Sequence, residues 1–125
     1  MPNKTTEHTT QNAIIRYLAM HDGVRVFRQN TGRATIRGSL VTFGTPGQGD
    51  LRCIISPEGW LVEIEVKSPT GRQAPNQHKY EAMLTSLGAL YILARCVEDV
   101  WRALRDRFPH IQWLTPGDAD LSRRH

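Results

Sequence analysis

Two carboxylates and an ammonium group lie at positions from which they could act together on a substrate: Asp50, Glu65 and Lys67. Asp50 opens the apolar segment DLRCII (50–55), and Glu65 and Lys67 end the segment WLVEIEVK (60–67). Both segments have the composition of β-strands, and the residues between them are typical of a tight turn. If the strands pair symmetrically about the middle of that turn, Asp50 lies opposite Glu65. The sequence therefore predicts a hairpin that brings two carboxylates together.

Two neighbouring carboxylates repel each other unless a cation compensates their charge. Mg²⁺ or Mn²⁺ suits such a place, because hard divalent cations take oxygen ligands and keep several waters. Lys67 lies two residues after Glu65, hence on the same strand face, where it can polarise a water or a phosphate oxygen. The alternative is an ordinary solvated strand face. Glu63 shares this face, and we interpret it as a solvated or salt-bridged acid.

Glu7 and Gln77 are polar residues on apolar stripes of two predicted helices. The stripe of the first helix contains Ile14, Tyr17 and Leu18, and that of the second contains Tyr80, Met83, Leu84 and Leu87. Polar groups on an inward stripe are costly unless they find partners, and the hairpin offers partners. Taken alone, each has an ordinary explanation as a polar residue in the first turn of a helix. Their convergence favours a site.

The elements that must position these residues follow the order helix, strands, helix, strand, helix. Thr5 and Thr6 are predicted to cap a helix that ends near Met20, and Pro75 to begin one that ends at Leu87. The predicted strands cover 24–30, 39–43, 50–55, 60–67 and 89–94; residues 30–39 are predicted as a loop and 97–108 as a helix. An apolar strand after a helix implies a parallel crossover. We expect one α/β domain over residues 1–125, with a mixed sheet flanked by helices and a polar tail from about residue 115.

The formal net charge of +4 is concentrated in one segment. Between Gly23 and Gly49 the basic residues are all Arg, and no acid is present. Arg matches phosphate in a bidentate fork, so the segment favours a nucleic-acid partner over a plain solvated loop. The candidate contacts to a DNA backbone are Arg28, Asn30, Arg33 and Arg37.

The sequence also favours a soluble, cytoplasmic protein without a membrane partner. The N-terminus has no apolar stretch typical of a signal peptide, and no apolar run is long enough to span a bilayer. Cys53 and Cys96 are interpreted as buried thiols of a reducing compartment. The Gly-rich run before Asp50 lacks the Lys-Ser/Thr ending of a phosphate-binding loop, and neither a GxSxG nor an HExxH motif is present.

Three runs in this order carry a family resemblance: FRQNTGR (27–33), GTPGQGD (44–50) and EVKSPTGRQAPNQ (65–77). Together they resemble the virus-type replication-repair nuclease domain, VRR-NUC, of the PD-(D/E)xK nuclease superfamily, in its stand-alone phage or bacterial type. The resemblance implies a restriction-endonuclease-like core of the αβββαβ type, with an extra hairpin strand and a C-terminal helix. The chain departs from the pattern at Gly49, where Pro is implied, and at Ala74, where Ser is expected.

The resemblance also implies roles for single residues. Asp50, Glu65 and the backbone carbonyl of Val66 would bind one or two Mg²⁺ or Mn²⁺ ions. Lys67 would be the catalytic lysine, Gln77 would orient Lys67 or the phosphate, and Glu7 would bind metal through water or a second ion.

The expected function is that of a divalent-metal-dependent DNA endonuclease, structure-specific for branched DNA such as a junction or flap in replication, repair or recombination. The alternatives are a catalytically silent nucleic-acid-binding module, a restriction-type endonuclease and a Holliday-junction resolvase of the same superfamily. A homodimer is also predicted, because one such site cuts one strand and a two-fold dimer would place two sites on a junction. Trp101, Trp113 and Leu114 offer apolar surface for the dimer interface, although internal packing would explain them as well.

Overall fold

The computed structural model describes residues 4–29 and 32–119, which form a mixed α/β fold. In chain order the elements are α1 (Lys4–Ala19), β1 (Val24–Arg28), β2 (Gly32–Ile36), β3 (Ser39–Phe43), β4 (Leu51–Ile55), β5 (Trp60–Val66), α2 (Pro75–Ser86), β6 (Leu90–Ala94) and α3 (Val97–Arg107). None of the helices in these ranges is long and apolar enough to cross a membrane.

The main sheet has the strand order β1-β4-β5-β6. β1 pairs with β4 and β4 with β5 in antiparallel fashion, whereas β6 lies parallel to β5. The parallel pair is connected through α2, so the predicted crossover and the predicted mixed sheet are confirmed. β2 and β3 form a separate two-stranded hairpin inserted between β1 and β4. The finer restriction-endonuclease-like arrangement stays a prediction.

The two faces of β5 are both covered, because α1 and α3 pack on one side of the sheet and α2 on the other. Val62, Ile64 and Val66 join the core beneath α1 and α3, with Ile14, Tyr17 and Leu18 of α1 fully buried there. The opposite face carries Glu63 and Glu65, and its cluster is built from Tyr80, Leu84 and Tyr91. The charged stripe of β5 therefore lies beneath α2, away from bulk water.

The prediction of a loop over residues 30–39 is wrong for residues 32–36, which form β2 and pair with β3. The hairpin turns at Arg37 and Gly38, whose φ angles are 52° and 79°. Two successive positive φ angles give the turn a twist that matches paired strands. The first of these positions usually carries Asn, Asp or Gly, so an Arg there gave no turn signal.

The helix boundaries and one apolar stripe also differ from expectation. α1 begins at Lys4, ahead of both predicted cap residues, and α2 ends at Ser86. Met83 and Leu87 were predicted to face inward, but they are 41% and 76% exposed. The buried apolar residues of α2 are Tyr80 and Leu84, because the polar stripe of β5 beneath the helix offers little apolar surface. Cys53 is buried as predicted, whereas Cys96 is only half-buried.

Candidate active site at the ends of β4 and β5

The register of the β4–β5 hairpin places Asp50 beside the end of β5. Leu51 pairs with Ile64, as symmetrical pairing about the turn predicts, and the next step along the ladder sets Asp50 against Glu65. Asp50 Oδ2 accepts a hydrogen bond of 2.7 Å from the Val66 backbone N–H. The Asp50 carboxylate is thereby fixed to the strand that carries Glu65.

Glu65 is 3% exposed and is bound by donors from three elements. Tyr91 Oη on β6 donates to Oε1, and the Gln77 amide on α2 donates to Oε2. Lys67 Nζ lies 3.1 Å from Oε2. An ionised carboxylate has about four lone-pair positions, so these three contacts leave room for about one more ligand.

Lys67 and Glu7 complete the group at this end of the sheet. The Lys67 N–H donates to the Ala94 carbonyl oxygen at 3.0 Å, which continues the β5–β6 pairing by one residue and fixes the backbone from which its side chain leaves. Glu7 Oε1 accepts a hydrogen bond of 3.2 Å from the Ser68 N–H. The first turn of α1 therefore meets the chain where it leaves β5, as the polar position on its apolar stripe suggests.

Gln77 connects the start of α2 to the site. Its Oε1 accepts a 2.7 Å hydrogen bond from the Ala74 N–H, while its amide nitrogen donates to Glu65. Ala74 has no side-chain acceptor, so Gln77 supplies only the returning half of a capping box. Gln77 is thus a polar residue in the first turn of α2 and also a partner of Glu65. Its ordinary explanation as a first-turn residue and its place in the candidate site both hold.

The carboxylates of the candidate site outnumber the positive charges beside them. Burial raises the pKa of Asp50, and the nearby charge of Glu7 raises it further, against the lowering effects of the Val66 N–H and Lys67. Burial also raises the pKa of Glu65, and the charge of Asp50 adds to the rise, while Tyr91 and Lys67 lower it. The charges of these carboxylates are therefore close enough to disfavour one another's ionisation, and one lysine does not offset them.

The donor set fits a hard divalent cation. In the described part of the chain no three His, Cys, Asp or Glu side chains form a ready-made metal cage. Mg²⁺ does not need such a cage, because it is commonly held by one or two carboxylates with waters completing its octahedron. Asp50 and Glu65, fixed at the ends of paired strands, supply that number of carboxylates, and the Val66 carbonyl is an additional oxygen on the same segment.

Glu63 is a residue whose place the sequence did not reveal. It is 0% exposed, so the solvated interpretation is wrong and the salt-bridged one is right: Arg52 Nη2 lies 3.1 Å from its Oε2. Tyr80 Oη donates to the same oxygen at 2.5 Å. Oε1 accepts hydrogen bonds of 2.9 Å from the Gln29 amide and from the Gly49 N–H. Glu63 therefore fixes the segment that leads into Asp50.

Gly49 shows why this chain departs from the expected Pro before the acid. A Cβ added to Gly49 would lie 2.9 Å from the Ile64 carbonyl oxygen and 3.0 Å from the Ile64 carbonyl carbon and nitrogen. Its N–H also donates to the buried Glu63, and Pro has no N–H to donate. Close contact with β5 and an obligatory donor together require Gly here.

Of the predicted DNA contacts, Arg28 and Arg37 have side chains that the structure describes, and they lie on different elements. Arg28 at the end of β1 donates to Gln11 Oε1 at 2.6 Å and to Asn12 Oδ1, both on α1. Arg37 lies exposed at the turn of the β2–β3 hairpin, and the backbone of Arg33 belongs to β2. Asn30 lies outside the described residues.

The apolar residues offered as a dimer surface pack largely within the chain. Trp101 and Trp113 rest against the main core, and Trp113 Nε1 donates to the Phe108 carbonyl oxygen at 2.8 Å. Leu114 stays exposed. The homodimer remains a prediction with no added support from the two tryptophans.

No protein-family model, curated protein or solved structure matches this chain. The resemblance to VRR-NUC domains therefore rests on the three sequence motifs alone.

Proposed function

We propose that this chain is a divalent-metal-dependent DNA endonuclease that hydrolyses phosphodiester bonds at the ends of β4 and β5. The observation that carries the proposal is the 2.7 Å hydrogen bond between Asp50 Oδ2 and the Val66 N–H, which fixes one carboxylate beside the strand end that bears Glu65 and Lys67. Buried like charges of this kind are a stability cost, and a bound cation would offset it.

Asp50 and Glu65, with the Val66 carbonyl, would hold one or two Mg²⁺ or Mn²⁺ ions. Such a metal, when bound, supplies a water of lowered pKa and charge stabilisation at the phosphate. Lys67, held by Glu65 at 3.1 Å, would position the attacking water or balance charge that develops on the phosphate. Glu7 would contact the metal through water or a second ion, and Gln77 would keep Glu65 and Lys67 in place.

The proposed substrate is branched DNA, a junction or a flap, bound by the Arg-rich segment and cut by a homodimer. The absence of acids between Gly23 and Gly49 supports a polyanionic partner. Two sites related by a two-fold axis would suit a junction that is itself nearly two-fold.

One observation favours a second candidate, a nucleic-acid-binding module without catalysis. Glu65 is almost fully buried, and Tyr91, Gln77 and Lys67 already occupy about three of its four acceptor positions. If these contacts satisfy the carboxylate completely, no metal would bind, and the group would serve the fold alone.

The experiment that separates the two candidates is a cleavage assay on labelled linear, flap and four-way DNA with Mg²⁺ or Mn²⁺. Cleavage is expected in the wild type and is expected to vanish in Asp50→Asn, Glu65→Gln and excess EDTA. Glu58→Gln is the matched control, because it removes an exposed acid from the opposite end of the same hairpin. Cleavage that continues in EDTA would refute the metal site, and DNA binding without any cleavage would favour the silent module.

A further inference from the structure

The β2–β3 hairpin extends from the domain as a separate two-stranded element. Its strands pair with each other and not with the main sheet, and its extensive contacts among the described elements are internal. Each strand has five residues, which gives a reach of about 17 Å. A hairpin of this length that pairs, among the described elements, only with itself is marginal in water, which suggests that its exposed shape serves an interaction.

The tip of the hairpin presents large apolar side chains on both of its faces. Ile36 is 54% and Leu40 is 65% exposed. Ile36 pairs with Ser39 and Leu40 with Thr35, so Ile36 and Leu40 point to opposite faces of the hairpin. An apolar patch on one face would suit a flat protein surface, whereas apolar groups on both faces of a narrow tip suit insertion between two layers.

The positive charge around these apolar side chains favours a polyanionic partner. Arg37 is at the tip itself, and the whole segment from Gly23 to Gly49 has no acid. A cleft near the start of the hairpin is lined by Phe27, Arg28, Gln29, Gln48 and Arg52. A second copy of this chain would bring Arg against Arg, so the charge disfavours self-association through the hairpin and favours nucleic acid.

The hairpin leaves the domain beside the candidate active site. The Gln29 N–H donates to the Asp50 carbonyl oxygen at 2.9 Å, and the Gln29 amide donates to the Gly49 carbonyl oxygen at 3.1 Å. Gln29 thus joins the chain before the hairpin to the chain after it, within one residue of Asp50. The turn residue Arg37 follows Gln29 by eight residues, so the tip lies within about 27 Å of Gln29, or about eight base-pair steps of DNA.

From this geometry we infer that the hairpin tip is a wedge that enters DNA where base stacking is already interrupted, at a junction, fork or flap. Apolar side chains inserted between base steps unstack DNA, and the cost is least where a base is unpaired or a duplex ends. Ile36 and Leu40 would cover the exposed faces of the terminal base pairs on either side, and Arg37 would meet a phosphate. The choice of branched DNA as the substrate that is cut rests on the proposed function, whereas the wedge itself concerns binding alone.

The test compares the full chain with an Ile36→Ser, Leu40→Ser double variant. Met83→Ser with Leu87→Ser is the matched control, because it also removes two exposed apolar side chains, one on α2 and one directly after it. Binding to labelled four-way, flap and linear DNA is measured by anisotropy in EDTA, where no cleavage is expected, with 2-aminopurine beside the branch to report unstacking.

The wild type and the control are expected to bind branched DNA at least about tenfold more tightly than linear DNA and to raise the 2-aminopurine signal. The hairpin variant is expected to lose both the preference and the signal while its affinity for linear DNA stays within about twofold. An unchanged preference, an equal loss on linear DNA, or a dimer that becomes monomeric in the variant would each overturn the wedge.

The outcomes also separate this inference from the proposed function. A wild type that shows the preference but never cleaves would refute the nuclease and leave the wedge standing. Cleavage of linear and branched DNA at equal rates, without any binding preference, would refute the wedge and leave the nuclease standing. In a cleaving protein, cuts are expected within about eight nucleotides of the branch, and cuts at random distances would count against the wedge.

Discussion

Replacement of Asp50 by Asn is expected to stabilise the metal-free protein and to abolish its stabilisation by metal. Asn keeps an oxygen that can accept the hydrogen bond from the Val66 N–H, but it removes a charge from a half-buried position near Glu7 and Glu65. Since burial raises the pKa of Asp50 in the fold, its ionised form costs stability at neutral pH, and that cost disappears as the pH falls through the folded-state pKa. The variant should lack this pH dependence.

The magnitude follows from mass action and the size of the domain. A ligand present at a hundred times its dissociation constant stabilises a protein by about 2.7 kcal/mol. For 125 residues the entropy of unfolding makes each kcal/mol worth about 4 °C. Saturating Mg²⁺ or Mn²⁺ should therefore raise the melting temperature of the wild type by about 10 °C, and that of Asp50→Asn by much less.

The assay is differential scanning calorimetry of both proteins, first in EDTA and then across a titration of each metal. Asp22→Asn serves as the control, because Asp22 is an exposed acid at the opposite end of β1 from Asp50. Two results would contradict the expected roles of Asp50 in metal binding and stability. One is an equal metal response in Asp50→Asn and the wild type; the other is a metal-free variant that melts well below the wild type.

Three further predictions concern Lys67, the close contact of Gly49 with β5, and the buried His21. Lys67→Ala should lose turnover but retain metal and DNA binding, since its role is placed in the transition state; near-normal turnover would make it a structural residue. Gly49→Ala should destabilise the fold by about 1–3 kcal/mol in urea titrations, because the added Cβ meets the Ile64 carbonyl at 2.9 Å, and an unchanged midpoint would contradict this. Burial lowers the pKa of His21, so unfolding free energy should fall as the pH drops below about 6.5, by at most about 1.4 kcal/mol per pH unit, and His21→Gln should remove that slope.

The contacts of His21 favour the neutral form of its ring. Its Nε2 accepts a 3.0 Å hydrogen bond from the Leu114 N–H, so the proton of the neutral ring is on Nδ1, which faces the Tyr17 carbonyl oxygen at 2.9 Å. Protonation of Nε2 would place its N–H donor against the Leu114 N–H, which is also a donor. The comparison between wild type and His21→Gln isolates this group from Asp50 and Glu65, whose raised pKa values act in the opposite direction.

Local patterns were sufficient to predict the hairpin that forms the site. The turn between β4 and β5 fixed the register, and the register alone placed Asp50 against Glu65. The stripes of α1 and α2 likewise placed Glu7 and Gln77 toward partners that the structure supplies, the Ser68 N–H and the Glu65 carboxylate.

Contacts that depend on the parallel register could not be read from the sequence. Tyr91 meets Glu65 only because β6 lies beside β5, with Tyr91 opposite Glu63, and nothing within the apolar run 89–94 indicates that alignment. The burial of Glu63 escaped prediction for the same reason, since alternation assigns a side chain to a face of a strand but cannot say what covers that face. The exposure of Met83 on α2 and of Leu87 directly after it was missed for the same reason, because the apolar stripe alone does not show which of its residues the sheet covers.

The partners of Glu65 differ widely in how far along the chain they lie, and this has a consequence for folding kinetics. The β4–β5 hairpin is local and can form early, and it brings Asp50 and Glu65 together with only Lys67 at hand. Gln77 and Tyr91 arrive when α2 and β6 dock, and the nearby Glu7 carboxylate accepts its hydrogen bond from the Ser68 N–H, 61 residues away. The barrier to folding should therefore include part of the repulsion between two ionised carboxylates, a cost that persists in the folded state. Refolding should accelerate in mild acid, and Asp50→Asn should refold faster than the wild type at neutral pH while losing that acceleration.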